Sequence, residues 1–213
     1  MRFSAFLFDL DGTLIDEFAT IHRRYAHTLA QLGRPVPAAA EVRAAVGGGL
    51  ENGLSRFVPP SGLAEAMRIY RAYWQQTILD GVTLMPGAGE LLRTLHGRGA
   101  RLAVITNKPG FASRLICGHL GIGALVPVVV GADDTPWLKP QPEYTAHVLK
   151  LLGAVPAEAL LIGDSPYDVQ AASNAGMIAW CVTTGTHTAE ELRVAGAEEV
   201  FADLPALSAA LIK

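Results

Sequence analysis

Short apolar segments alternate along most of the chain with stretches that have helical periodicity. The segments that predict strands are residues 4–8, 101–105, 126–130, 159–162, 178–182 and 200–201. Strands that are apolar at nearly every position are buried on both faces, and helices between them allow neighbouring strands to run parallel. The sequence therefore predicts an α/β fold with a Rossmann-like parallel sheet covered by helices.

The region from about residue 16 to residue 80 does not follow this alternation. Phe18, Ile21, Tyr25 and Leu29 recur at steps of three and four residues, which is typical of an amphipathic helix. Shorter helical patterns follow it. We therefore predict an all-α cap, residues 16–80, inserted after the first strand of a core domain that comprises residues 1–15 and 81–213.

Composition excludes several classes of protein. The 213 residues carry a formal net charge of -3, which does not resemble the basic surface of a nucleic-acid-binding protein. No segment approaches the roughly 18 apolar residues of a membrane span. Cys117 and Cys181 lack the spacing of a zinc site or a disulfide framework, so we expect buried thiols in a protein of the reducing cytoplasm.

Two carboxylates follow the first predicted strand. Asp9 and Asp11 are separated by one residue, so at the end of an extended strand they point to the same side. Gly12 then allows the chain to turn. Buried carboxylates are tolerated where a hard cation neutralises them or where they carry out chemistry.

Other polar residues follow the later strands. Thr106 and Asn107 come after the second strand, Asp164 comes after the fourth, Lys139 lies in the loop after the third, and Asp168 starts the next helix. Ligands of open α/β sheets bind at the carboxyl ends of the strands, so these side chains are expected to converge. An oxygen-rich site of this kind suits Mg²⁺ and the transfer of a phosphoryl group.

Four motifs in order carry a resemblance to a known family. They occupy residues 9–16, 104–109, 139–142 and 163–168, and residues 171–176 continue the last of them. With these motifs the chain resembles the phosphatases of the haloacid dehalogenase superfamily that have a small helical cap, close to the phosphoglycolate phosphatase group. The similarity spans nearly the whole chain.

The resemblance implies that Asp9 is the nucleophile and Asp11 the general acid/base. It also implies that Mg²⁺ is held by the Asp9 carboxylate, the backbone carbonyl of Asp11 and Asp164. Dehalogenases and phosphonatases of this superfamily generally lack an acid at the position of Asp11, because their leaving groups do not need protonation. Asp11 therefore favours a phosphatase.

The resemblance assigns the remaining motif residues to phosphate binding. Thr106 and Lys139 would bind the phosphate, and Asn107 would supply a further hydrogen bond. Asp168 would order Lys139 or a metal-bound water. An acid at the start of a helix is also favoured by the helix dipole, and this alternative for Asp168 stays open.

The predicted cap contains a glycine-rich loop and several arginines. No strand precedes Gly47–Gly49 and no Lys-Ser/Thr follows, so it is either a substrate-specificity loop or a plain turn, and not a nucleotide-binding P-loop. Arg23, Arg43 and Arg56 could contact a substrate carboxylate from the cap, but the preferred interpretation of each is a solvated helix residue. Glu17 replaces the serine that these phosphatases often carry, and we expect little effect on the chemistry.

The sequence therefore predicts a Mg²⁺-dependent phosphomonoesterase that acts on a small phosphorylated metabolite as a monomer or homodimer, with 2-phosphoglycolate as the leading substrate. Another capped member of the superfamily is the main alternative: a sugar-phosphate phosphatase, a pyrophosphatase or a phosphosugar mutase. A non-catalytic sensor of a phosphorylated ligand is a second alternative, although binding alone does not need Asp11. A receiver domain is disfavoured because it lacks a long helical insertion.

Overall fold

The computed structural model of the chain describes residues 2–212. Six strands form one parallel sheet in the order β5-β4-β1-β6-β7-β8, which confirms the predicted α/β fold class. The strands are β1 Ala5–Phe8, β2 Ile15–Asp16, β3 Thr83–Leu84, β4 Arg101–Ile105, β5 Val128–Val130, β6 Ala159–Gly163, β7 Ile178–Val182 and β8 Glu199–Phe201.

Ten α-helices accompany the strands in this part of the chain. They are α1 Phe18–Gln31, α2 Ala39–Ala44, α3 Leu50–Ser55, α4 Pro60–Gln76, α5 Ala88–Gly97, α6 Gly110–His119, α7 Pro142–Leu152, α8 Pro166–Asn174, α9 Ala189–Ala195 and α10 Leu204–Leu211. A capping box precedes α9, since the Thr188 side chain accepts a hydrogen bond from the backbone N–H of Glu191. None of the helices described is long and apolar enough to cross a bilayer.

Several element boundaries differ from the sequence prediction by one or a few residues. Strand β5 begins at Val128, two residues later than predicted, and Val126 packs in the core instead. Helix α4 begins at Pro60, because proline has a backbone angle suited to the first helical position. Helix α8 begins at Pro166 for the same reason, ahead of Asp168.

The register of the sheet aligns the ends of three neighbouring strands. Phe8 at the end of β1 pairs with Val104 of β4 on one side and with Ile162 of β6 on the other. The chain segments that leave these three strands therefore start at the same edge of the sheet. The motif residues predicted to converge lie in these segments and in the loop after β5.

Residues of β1 alternate between two hydrophobic clusters. Phe6 and Phe8 pack into the cluster on one face of the sheet, and Ala5 and Leu7 pack into the cluster on the other. All four are fully buried. The burial of both faces explains why the strand is apolar at each position and confirms that helices cover the sheet on both sides.

The region predicted to form the cap contains helices α1 to α4 between β2 and β3. Its interior is aromatic, with Tyr25 packed edge-on against Phe57 and Tyr70 at ring-centroid distances of 5.6 and 5.4 Å. Strands β2 and β3, which were not predicted, pair antiparallel where the chain enters and leaves this region. With two residues each, they are too short to produce a periodic pattern.

Candidate active site

Three carboxylates meet at the carboxyl edge of the sheet. One carboxylate oxygen from each of Asp9, Asp164 and Asp168 lies within 4.8 Å of the others, and all three side chains are buried. Asp9 follows β1, Asp164 follows β6, and Asp168 lies in the first turn of α8. The sheet register brings these residues together although they are far apart in the sequence.

Lys139 inserts its ammonium group between two of these carboxylates. Its Nζ atom lies 2.6 Å from Asp9 Oδ1 and 2.7 Å from Asp168 Oδ1. Burial lowers the pKa of Lys139, but the charges of Asp168 and Asp9 outweigh burial, so its pKa is raised and the side chain stays cationic. The structure therefore has a fixed positive charge beside the predicted nucleophile.

Asp168 uses its two carboxylate oxygens differently. Oδ1 accepts the hydrogen bond from Lys139, whereas Oδ2 accepts from the backbone N–H of Asp164, the backbone N–H of Ser165 and the Ser165 hydroxyl. The distances at Oδ2 are 3.2, 3.0 and 2.6 Å. Asp168 therefore stabilises the start of α8 and contacts Lys139 at the same time, which combines both roles considered from the sequence.

Asp164 is held by two threonines that the sequence prediction did not include. Thr186 donates to Asp164 Oδ2 from its backbone N–H at 2.7 Å and from its hydroxyl at 2.9 Å, and the Thr13 hydroxyl donates to Oδ1 at 3.3 Å. Gly185 allows this approach, because a Cβ at that position would overlap the Asp164 carboxylate. These contacts fix the carboxylate toward the cluster.

Thr106 and Asn107 also reach the site, but their side chains contact protein. The Thr106 hydroxyl accepts a hydrogen bond from the backbone N–H of Lys108 at 3.2 Å. The Asn107 amide donates to the carbonyls of Gly47 and Lys139 and accepts from the Lys139 backbone N–H. Because both N–H groups of this amide have protein acceptors, a bond from it to phosphate requires one of those contacts to open.

Asp11 lies two residues after Asp9, but its carboxylate pairs with Lys108 and not with Lys139. Lys108 Nζ donates to both carboxylate oxygens of Asp11 at 3.0 Å and also contacts Glu17. Glu17 in turn pairs with Arg24 at 3.1 Å. The sequence prediction missed Lys108 and Arg24 and gave Glu17 little weight, although an acid at position 17 in place of the usual serine was an available indication.

The glycine-rich loop and Arg43 join the helical region to the core. Besides the contact of Gly47 with Asn107, the Gly48 backbone lies so close to the Tyr167 hydroxyl that a Cβ would be only 2.6 Å from it. Arg43 is half-buried and donates to the carbonyls of Thr184 and Gly185 at 2.6 and 2.8 Å, so it is not the solvated residue expected from the sequence.

The other two arginines of the helical region have local partners. Arg23 forms an exposed ion pair with Asp80, and Arg56 donates to the carbonyl of Ala44. Neither contact involves the carboxylate cluster. Both residues therefore agree with their interpretation as solvated helix residues.

The electrostatics of the cluster favour a cation. Burial raises the pKa of Asp9 to about 6, although Lys139 acts in the opposite direction. Burial and the charges of Asp9 and Asp168 also raise the pKa of Asp164. Carboxylate oxygens are ligands that Mg²⁺ prefers, and a divalent ion at this position would relieve the repulsion between Asp9 and Asp164. The donor set therefore fits Mg²⁺.

The protein is thus an α/β protein with a buried acidic site and a lysine at the carboxyl edge of its parallel sheet. The family model described as haloacid dehalogenase-like hydrolase matches residues 6–182. The chain belongs to this family, as its motifs indicated.

Individual relatives agree with this assignment. The chain is 35% identical over 189 residues to a phosphoglycolate phosphatase of Pseudomonas syringae pv. syringae, covering 84% of this chain and 69% of the relative. It is 34% identical over 210 residues to a phosphoglycolate phosphatase of Pectobacterium atrosepticum, covering 92% and 88%. A haloacid dehalogenase-like hydrolase from Streptococcus pneumoniae has a similar structure, with a TM-score of 0.91, 25% identity and 99% coverage of both chains. These relatives support the expected enzyme class, a phosphatase.

Proposed function

We propose that this phosphatase hydrolyses a small phosphomonoester in a Mg²⁺-dependent reaction that passes through an aspartyl-phosphate. The observation that carries the proposal is the buried cluster of Asp9, Asp164 and Asp168, whose carboxylate oxygens lie within 4.8 Å of one another with Lys139 against Asp9. A buried nucleophile with a fixed cation beside it suits attack on a phosphate dianion.

In the first step a carboxylate oxygen of Asp9 forms a bond to phosphorus while the bond between phosphorus and the ester oxygen breaks. The electron pair of the broken bond stays on the ester oxygen, which takes a proton from the Asp11 carboxyl group and leaves as an alcohol. In the second step a water oxygen bonds to phosphorus, the acyl phosphate bond breaks, and Asp11 recovers a proton from that water. The net reaction is hydrolysis to an alcohol and phosphate.

Mg²⁺, held by the Asp9 carboxylate, the Asp11 backbone carbonyl and Asp164, would screen the repulsion between the phosphate and the carboxylates. Lys139 donates to the non-bridging phosphate oxygens in this proposal, and Asp168 keeps its ammonium group in place. Thr106 supplies a hydroxyl at the same edge. Asn107 contributes to phosphate binding only when its contact with Gly47 opens, so its first role is to seat the glycine-rich loop.

The relatives named phosphoglycolate phosphatase support 2-phosphoglycolate as the leading substrate. Arg43 of the helical region contacts Gly185 of the core, and Asn107 of the core contacts Gly47 of the helical region. These contacts support a helical cap, residues 16–80, that covers the substrate and limits its size. The buried thiols of Cys117 and Cys181 support a reducing compartment such as the cytoplasm.

The test is phosphate release from a panel of small phosphomonoesters, compared by kcat/KM in Mg²⁺ and in EDTA. We expect turnover only with Mg²⁺ and none in Asp9→Asn, because an amide cannot form the acyl phosphate. Asp203→Asn is the matched control, since Asp203 caps α10 and asparagine caps a helix equally well. Near-normal hydrolysis of an aryl phosphate by Asp9→Asn would refute the nucleophile, and equal rates in EDTA would refute the metal dependence.

A further inference from the structure

A row of four charged side chains with alternating signs connects the active site to the helical region. It runs from Asp11 through Lys108 and Glu17 to Arg24. The side chains of Glu17 and Arg24 are 0% exposed, and those of Lys108 and Asp11 are 7% and 13% exposed. The four charges sum to zero, which allows the row to be buried.

The far end of this row is fixed by backbone groups. Arg24 of α1 donates to the hydroxyl and carbonyl of Thr77 and to the carbonyl of Ile78, just after α4. Arg24 therefore ties the segment that enters the helical region to the segment that leaves it. Glu17, which directly precedes α1, is held by this anchored guanidinium through its second carboxylate oxygen.

We propose that Glu17 is a positioning residue that acts through Lys108 to hold the carboxyl group of Asp11 toward the leaving group. The inference rests on the proposed function and extends it to Glu17, a residue outside the four sequence motifs. Lysine has a long flexible side chain with three N–H donors. Two contacts with one carboxylate leave its ammonium free to swing with Asp11, whereas a third contact with the anchored Glu17 fixes it.

The arrangement serves both proton transfers. An ammonium N–H donates to a carboxylate and equally to the carbonyl oxygen of a protonated carboxyl group, so Lys108 holds Asp11 in both protonation states. When Glu17 is replaced, Asp11 stays in the protein but loses its fixed orientation. Proton transfer to the leaving alkoxide and from the attacking water should then slow, while attack by Asp9 should not.

The test compares two substrates in Glu17→Gln. Departure of p-nitrophenolate needs no proton, whereas departure of the alkoxide of an alkyl phosphate such as 2-phosphoglycolate does. We expect kcat/KM for the alkyl phosphate to fall about tenfold or more, which is part of the roughly 10²–10⁴-fold that a well-positioned general acid contributes. We expect kcat/KM for p-nitrophenyl phosphate to change little, but its kcat to fall and a burst of p-nitrophenolate to appear as the second step becomes limiting.

Two further variants identify the route of the effect. Lys108→Met should lower kcat/KM for the alkyl phosphate and change kcat/KM for p-nitrophenyl phosphate little, as Glu17→Gln does. Adding Glu17→Gln to Lys108→Met should not increase this difference between the substrates, because Glu17 acts through Lys108. If Glu17→Gln does not fold by circular dichroism, Glu17→Ser takes its place, since serine is the residue that these phosphatases often carry at this position. Lys108→Met leaves the Glu17–Arg24 pair intact and shows whether the ammonium group itself acts on Asp11. The exposed Glu65→Gln is the control for an acid-to-amide change and should match the wild type.

The inference would be overturned if kcat/KM fell equally for both substrates or did not fall in either variant. It would also be overturned if the effects of the two substitutions on the difference between the substrates added up in the double variant. These outcomes leave the proposed function standing, because they require a wild-type enzyme that turns over both substrates in Mg²⁺. A wild type that hydrolyses neither these two substrates nor any other small phosphomonoester of the panel in Mg²⁺ would instead refute the proposed function.

Discussion

Replacement of Asp168 by asparagine is expected to destabilise the protein more than any change to an exposed ion pair. The carboxylate uses Oδ1 for Lys139 and Oδ2 for three donors around Ser165. Asparagine has only one side-chain oxygen. Whichever way the amide is oriented, either Lys139 or the donors of the α8 start meet an NH₂ group instead of an acceptor.

The magnitude follows from the burial of the pair. Removing one partner of a buried ion pair costs about 3–5 kcal/mol, because the other charge is left without its partner. Lys139 keeps Asp9, which places the expected loss near the lower end, about 3 kcal/mol. For a chain of this size each kcal/mol shifts Tm by about 2–4 °C, so Tm should fall by roughly 6–12 °C.

The assay is thermal unfolding by circular dichroism in EDTA, at neutral pH and moderate salt, so that metal binding does not contribute. Glu65→Gln is the matched control: Glu65 pairs with Arg68 at 2.6 Å, but both side chains are exposed and solvent screens their charges. Its Tm should equal that of the wild type. Equal Tm values for Asp168→Asn and Glu65→Gln would refute the argument that burial makes the Asp168–Lys139 pair important for stability.

Two other predictions concern the carboxylate cluster. In Gly185→Ala the new Cβ overlaps the Asp164 carboxylate, so Mg²⁺ should no longer raise the Tm of this variant. Gly118 has open space around it, so Gly118→Ala is the control and its Tm should still rise with Mg²⁺. An unchanged rise in Gly185→Ala would contradict the role of Asp164. The pKa of Asp9 is raised to about 6 from an ordinary value of 3.8, so ionised Asp9 destabilises the metal-free protein above about pH 6 and this effect disappears as the pH falls toward 3.8. Mg²⁺ binds the ionised form of Asp9, so it should raise Tm strongly near pH 7.5 and less near pH 5.5, where it must displace a proton. An equal or larger rise in Tm at pH 5.5 would contradict this predicted pH dependence.

The sheet could be predicted because its strands are apolar on both faces. Ala5, Leu7, Phe6 and Phe8 need burial on opposite sides, and this requirement is visible in the sequence as an unbroken apolar segment. The same regularity gives the edge at which Asp9 and Asp164 meet. By contrast, β2 and β3 have two residues each and arise from the geometry of the chain crossing, which produces no pattern.

The site residues that were missed depend on side-chain reach. Lys108 follows the predicted pair Thr106 and Asn107, but only the folded structure shows that its ammonium group turns to Asp11 and Glu17. Thr186 approaches Asp164 from the loop after β7, and a threonine in a loop is not distinctive in a sequence. Motif residues could be identified because their spacing was informative, whereas these partners are defined by distances between separate loops.

The central position of β1 has a consequence for experiments that follow exchange of backbone protons with deuterium. Strand β1, which precedes Asp9, is hydrogen-bonded to β4 on one side and to β6 on the other. Its backbone N–H groups can therefore exchange only when the sheet unfolds. The slowest exchange of backbone protons is therefore expected immediately before Asp9, the proposed nucleophile. Deuterium uptake at Leu7 and Phe8 should therefore report the global free energy of unfolding.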